Sequence, residues 1–185
     1  MKPRDILITC FMVFSVGSCF FDEPISYRTA GDASVRFAYT AITAGQDQTC
    51  ALLADNTVKC WGRNHTGQLG DGTTTDSLSP VSVSGISTAI AISSPTTNPC
   101  ALLADNTVKC WGNNNWGQLG DGTTTNSTTP VSVSGISTAT AISSRLQHTC
   151  ALLADNTVKC WGLNDYGQLG DRTTTNRSTP VTVQF

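Results

Sequence analysis

A unit of fifty residues is written three times in this chain, and no other feature restricts the possible folds as strongly. The run CALLADNTVKCWG begins at Cys50, Cys100 and Cys150, and GQLGD follows at Gly67, Gly117 and Gly167. TTT, a proline, and VSV or VTV then close each unit. Residues 45–94 and 95–144 are identical at 38 of 50 positions, and residues 95–135 and 145–185 at 27 of 41. Repetition at fixed spacing requires each unit to adopt one local structure and to stack on its neighbour in one way. The fold therefore reduces to the fold of a unit and the packing of one seam.

Each unit reads as strands and turns. Thr40 to Ala44 and its counterparts TAIAIS and TATAIS are short, small and β-branched. Cys50 to Ala54 and Thr57 to Trp61 flank Asp55-Asn56 as two further strands. Val81 to Ser84 is a fourth, entered by Pro80, since proline is tolerated at a strand's first residue. No segment after the first twenty residues carries an apolar stripe of 3.6-residue period, so helices are not expected there. Setting Cys50 opposite Cys60 leaves the three-residue loop Ala54-Asp55-Asn56, whose last residue must enter the left-handed region, where asparagine is second only to glycine. In that register Cys50, Leu52, Val58 and Cys60 share one face, and Ala51, Leu53, Thr57 and Lys59 share the other. Both faces carry apolar groups, so the sheet needs cover on both sides. Four-stranded sheets packed face to face around an axis provide it. The expected fold is all-β, a partial β-propeller of about three four-stranded blades, preceded by a signal segment.

The chain holds eight cysteines, many for a reducing compartment. Six fall into one pair per unit: Cys50–Cys60, Cys100–Cys110 and Cys150–Cys160. Directly opposed residues on antiparallel strands bring β-carbons close enough to bridge. Each short loop so closed would contribute at most about 3 kcal/mol by the chain-entropy account. Zinc is the rival, but nine intervening residues are far from the two to four of a zinc knuckle, and no set of histidines lies nearby.

The N-terminus reads as an address. Lys2 and Arg4 precede the uncharged apolar stretch Ile6 to Gly17, which is short for a bilayer span and fits a signal peptide's core. Val16-Gly17-Ser18-Cys19 resembles a bacterial lipobox, in which the cysteine is lipidated and becomes the new N-terminus. An ordinary secretory cut after Ser18 is the alternative, and a buried N-terminal strand a third reading. The domain expectation is a signal peptide over 1–18, a tether over 19–38 with a short strand near Val35 to Phe37, and three repeats over about 39–88, 89–138 and 139–185. Cys10 is lost with the leader, and Cys19 is the candidate lipid acceptor. The expected location is the bacterial cell envelope through a lipid anchor, with secretion as the alternative.

Composition limits the chemistry. Lys plus Arg number 11 and Asp plus Glu 13, with two His and net charge −2. There is no basic stripe to neutralise phosphates, which argues against nucleic acid. Glu23 is the single glutamate, so the usual general acids and bases are scarce. Gly67 to Gly72 (GQLGDG) is glycine-rich but lacks the Lys and Ser/Thr of a phosphate loop, and Arg172 replaces its last glycine in the third unit. Asp71 to Asp76 has the look of a calcium loop, yet Asn126 and Asn176 stand at its last position elsewhere and no bidentate Glu follows. His65 and His148 occupy different slots. No cofactor, metal or catalytic residue is expected. Trp61, Trp111 and Trp161 recur at one position and are expected to fill the space between blades.

CALLADNTVKCWG followed by Asn-x-x-Gly-Gln-Leu-Gly resembles the regulator-of-chromosome-condensation repeat over roughly residues 39–185. The resemblance implies a propeller of four-stranded blades, usually seven. The founding member exchanges nucleotide on a small GTPase and binds chromatin, and an exported bacterial relative inhibits β-lactamases. Three units cannot close a seven-bladed ring. The chain would self-associate to complete a ring, form an open arc, or be a fragment of a longer array without function of its own.

Differences between the units carry the functional expectation. Identity fails at two loop sets: Gln46 to Thr49, Thr96 to Pro99 and Leu146 to Thr149, and the triplets Arg63, His65, Thr66; Asn113, Asn115, Trp116; and Leu163, Asp165, Tyr166. Equivalent loops of a stacked array emerge on one rim. A constant scaffold with a varied rim is how a binding surface is built, although exposed loops also vary by default. The candidate partner-binding residues are Arg63, His65, Asn115, Trp116, Asp165 and Tyr166, on a non-enzymatic module for an unidentified protein partner. A guanine-nucleotide exchange role is the alternative that the resemblance alone implies.

Overall fold

The computed structural model describes residues 38–185. The leader, Cys10, Cys19 and the tether, with its expected strand near Val35 to Phe37, lie outside the described residues. Three antiparallel sheets of four strands each make up the rest. Blade 1 contains β1 (Tyr39–Ala44), β2 (Gln48–Leu53), β3 (Val58–Gly62) and β4 (Ser77–Ser82). Blade 2 contains β5 (Ala89–Ser93), β6 (Cys100–Leu103), β7 (Val108–Gly112) and β8 (Ser127–Ser132). Blade 3 contains β9 (Ala139–Arg145), β10 (His148–Leu153), β11 (Val158–Gly162) and β12 (Arg177–Thr182). Within each blade, consecutive strands are neighbours, and the described residues include no helix.

The central hairpin shows why its sequence recurs unchanged. Leu52 pairs with Val58 and Cys50 with Cys60. Leu53 N–H donates to the Thr57 carbonyl at 2.9 Å, closing the three-residue loop. Asn56 takes the left-handed conformation at φ 62°, as do Asn106 at 63° and Asn156 at 64°. Asp55 fixes the turn by accepting from the Thr57 backbone N–H at 3.1 Å and from its hydroxyl at 2.6 Å. These bonds, the hydroxyl's first, hold the Asp55 carboxyl below its ordinary value, and Asp105 and Asp155 behave alike. The cysteines of each unit are joined pairwise across this hairpin, with Cα atoms 4.1 Å apart.

The fourth strand departs from expectation. It begins at Ser77, so Pro80 lies inside β4 and does not open it. Cys60 pairs with Val81 and Gly62 with Ser77, so three residues of β4 bulge against one of β3. β4 is an edge strand, and an irregular edge needs no N–H from proline.

Two seams form the core. The blade 1 face of Cys50, Leu52, Val58 and Cys60 packs with Ala101, Leu103 and Trp111 of blade 2. The same face of blade 2, with Cys100, Leu102, Val108 and Cys110, packs with Ala151, Leu153 and Trp161 of blade 3. Trp111 Nε1–H donates to the Gln68 carbonyl at 3.1 Å, and Trp161 Nε1–H to the Gln118 carbonyl at 3.0 Å. Each buried indole thus satisfies its one polar group on the preceding blade. On the outer side, Gly72 N–H donates to the Thr128 carbonyl at 2.9 Å and Gly122 N–H to the Ser178 carbonyl at 2.8 Å. On the inner side, Ser94 N–H donates to the Thr43 hydroxyl and Ser144 N–H to the Ser93 hydroxyl, both at 3.1 Å.

Candidate functional site

The two variable loop sets meet on one rim of the array. Arg63 N–H donates to the Asp47 carbonyl, Asn113 N–H to Thr97 and Leu163 N–H to Gln147, each at 2.9 Å. These bonds tie the loop after the third strand of every blade to the loop after its first. The longer loop is then folded by residues shared among the units. Asn64 is fully buried. Its Oδ1 accepts from Leu69 N–H at 2.9 Å, and its Nδ2 reaches Asp71 Oδ1, the Thr73 carbonyl and hydroxyl, and the Thr75 carbonyl at 3.1–3.3 Å. Asn114 and Asn164 repeat the arrangement. The oxygens of the stretch considered above for calcium therefore converge on an amide nitrogen. Among the described residues, no group of three or more His, Cys, Asp or Glu is placed to hold a metal ion.

Gln68 and Gln118 act beside these asparagines. Gln68 Oε1 accepts from Thr66 N–H, Gln118 Oε1 from Trp116 N–H and Gln168 Oε1 from Tyr166 N–H, all at 2.9 Å. The third residue of each variable triplet thus has its backbone clamped while its side chain stays free to differ. Reading the sequence missed both residue types. The signal lay in their recurrence, Asn-x-x-Gly-Gln-Leu-Gly in every unit, taken above only as a mark of the family resemblance.

The six candidate residues stand on this frame at unequal exposure. Trp116 is 41% and Tyr166 92% exposed. Arg63 pairs with Asp47 at 3.2 Å and His65 with Asp76 at 3.4 Å, both between exposed side chains. Such pairs contribute little to stability. Asn115 and Asp165 are exposed at the middle position of their triplets. Leu146, from the other variable loop set, joins them on the rim, 60% exposed and at φ 52°. A left-handed branched residue carries strain of the order of 1 kcal/mol. His148, beside it, has its pKa lowered by burial and then by the charge of Arg145. Asp171, at the base of the blade 3 loop, is held down to about 2 by the Thr173 hydroxyl and then by Arg177, whose Nη2 lies 2.7 Å away.

Triplicated four-stranded sheets, stacked through tryptophan-filled seams and carrying their variation on one rim, define a β-propeller repeat array. Two family models described as regulator of chromosome condensation (RCC1) repeat match the chain, one over residues 39–68 and 140–168, the other over 55–95, 105–152 and 155–185. The chain belongs to the RCC1 repeat family. Among solved structures it is similar to human WBSCR16, at 24% identity and TM-score 0.69 over 78% of this chain and 37% of that one. It is also similar to Prp20p from Saccharomyces cerevisiae, at 15% identity and TM-score 0.71 over 80% of this chain and 38% of that one. Yeast RCC1 (Prp20) in its Kap60-bound structure gives 16% identity and TM-score 0.69. These likenesses establish the fold, and the chain spans less than two fifths of each of those proteins. No curated protein matches the chain significantly in sequence.

Proposed function

We propose that this chain is an exported, lipid-anchored and non-enzymatic module that engages a protein partner through its rim. The supporting observation is the contrast within each rim loop. A buried Asn and a clamping Gln repeat without change, while the side chains they present change from Arg63, His65 and Thr66 to Asn115 and Trp116 and then to Asp165 and Tyr166. Exposed Trp, Tyr and Arg are the residue types that dominate binding energy at interfaces. Prp20p is a protein studied for its binding to Gsp1p and histones, which supports an interaction role for propellers of this type. Anchoring at Cys19 is the part of the proposal that rests on sequence alone.

Mass spectrometry of the native protein, with and without reduction, tests compartment and anchor together. The expected result is loss of residues 1–18, lipid on Cys19 and three bridges; an intact leader with six free thiols would remove export from the proposal. For the rim, a partner bound by the native protein should lose at least about tenfold in affinity when Trp116 and Tyr166 are both replaced by alanine, as hot-spot truncations do. Unchanged affinity would remove the rim. A nucleotide-release assay on small GTPases discriminates the exchange-factor reading.

A further inference from the structure

The two internal seams carry amides of different length at one position of the repeat. Gln48 and Asn98 are buried at the start of the second strand, 3% and 0% exposed. Across the first seam Gln48 Nε2 donates to the Ser94 hydroxyl at 3.1 Å. The residue that corresponds to Ser94 across the second seam is Ser144. The backbone brings both serines to their seams alike, since Ser94 N–H donates to the Thr43 hydroxyl and Ser144 N–H to the Ser93 hydroxyl.

Asparagine is one methylene shorter than glutamine, and Asn98 does not complete the same bond. Its Nδ2 reaches the Thr149 hydroxyl instead, at 3.5 Å, which is long for a hydrogen bond. Asn98 Oδ1 and Ser144 Oγ are left buried and without a partner among the described residues. Thr149 is fully buried and pairs directly with Ser144 on the adjacent strand, so the two hydroxyls share one face of the sheet. Three oxygens from two blades thus border one spot: Asn98 Oδ1, Ser144 Oγ and Thr149 Oγ1. Turning the Asn98 amide over would change which of its atoms lacks a partner without removing the shortfall. Buried polar groups in native interiors are almost always partnered, by protein or by ordered water, because an orphan forfeits its hydration for nothing.

We propose that the seam between blades 2 and 3 binds one internal water, which bridges Asn98 Oδ1 to Ser144 Oγ and supplies the reach that Gln48 has and Asn98 lacks. The water donates to Asn98 Oδ1 and Thr149 Oγ1 and accepts from the Ser144 hydroxyl. Three polar partners are the usual complement of a buried water. All three oxygens are neutral, and among the described residues no group of three or more His, Cys, Asp or Glu is placed to hold a metal ion. A cation here would shed its hydration with no carboxylate to offset the cost, so water is the occupant. The difference between Gln48 and Asn98, which reads in the sequence as variation of the rim, then belongs to the packing of blade on blade.

A crystal structure of the full, oxidised chain and nuclear Overhauser transfer from water in solution test the site. Expected are a density peak about 2.7–3.2 Å from both Asn98 Oδ1 and Ser144 Oγ, and transfer from a long-lived water to the Ser144 and Thr149 amide protons. Asn98→Gln should bond Ser144 directly, as Gln48 bonds Ser94, and remove both signals without lowering the denaturation midpoint. Ser144→Ala should raise the unfolding equilibrium constant about two- to tenfold, the worth of one hydrogen bond. A hydroxyl with no partner is better lost, and the constant would then fall. The two measurements on the native chain decide the matter even if Asn98→Gln does not fold. No peak and no transfer in the native chain, a stability gain from Ser144→Ala, or a water that survives Asn98→Gln would each overturn the proposal. So would a peak held at cation distances of about 2.3–2.6 Å.

Discussion

The seam between blades 2 and 3 and the open tail of blade 3 are built from nearly the same residues and end in different physical states. Leu102 is 1% and Leu152 40% exposed; Gln118 is fully buried and Gln168 only partly. The head repeats the contrast, with Trp61 partly buried while Trp111 and Trp161 are fully buried. Burial here is a property of the neighbour and not of the residue. Stability of such an array is accordingly a sum of blade terms and seam terms, and a substitution should have an effect set by which blade it falls in.

The largest separation is expected for tryptophan. Trp111→Ala removes an indole that fills a seam and leaves the Gln68 carbonyl without its donor, at a cost of about 3–5 kcal/mol. Trp61→Ala should cost about 1–2 kcal/mol, because the area it buries is smaller and no indole hydrogen bond is lost. Chemical denaturation of the oxidised protein measures both. Equal losses would mean that the two positions share one environment, and the distinction between seam and end would fail.

Most of the seam could be read before any coordinates. The register follows from Cys50 facing Cys60, a two-residue alternation then assigns Leu52 and Val58 to one face, and the left-handed Asn56 sets the loop length. The ends could not be read in this way. Leu52, Leu102 and Leu152 sit in identical runs of thirteen residues, so nothing local marks one of them as exposed. The rim loop was half legible. Its variable residues stood out against the repeat, but Asn64 drew no reading of its own, because a polar residue in a loop announces neither its burial nor its five partners. Pro80 misled for a related reason. A proline near a strand is ordinarily a boundary, and the bulge that admits it at an edge arises from pairing with β3.

Glycine separates steric from conformational effects. Gly117 and Gly167 have φ of 77° and 72°, so alanine at either suffers the same left-handed strain. Only at Gly117 would the new methyl meet the backbone of the next blade, at Ser178. Gly117→Ala should therefore lose about 1–3 kcal/mol more than Gly167→Ala, as overpacking does.

The asparagine hub predicts that the contrast should vanish. Asn64, Asn114 and Asn164 are fully buried in all three blades and bond within their own loop. Alanine at any of them strands a buried Leu N–H and should cost about 1–3 kcal/mol regardless of blade. A much smaller loss in blade 3 would show that the loop itself depends on the following blade, and that the terms are not separable as argued. Proteolysis at the loop of each variant reports the same question without requiring global unfolding.

The smallest effect concerns acid. Asp171 has its pKa lowered from 3.8 to about 2 by the Thr173 hydroxyl and by Arg177. Arg177 is a residue that blades 1 and 2 replace with Ser77 and Ser127. A carboxylate with a depressed folded pKa favours the native state fully above its unfolded value, and that contribution fades as pH falls through the folded one. Between pH 4 and pH 2 the native chain should lose stability that Asp171→Asn never had, so their denaturation midpoints should converge. Arg177→Ser should weaken the acid dependence without abolishing it, since the Thr173 hydroxyl remains the larger cause. A pH profile unchanged by Asp171→Asn would mean that this pair gives the blade 3 loop no support. A flattened profile would show that the loop's own charges help to hold it.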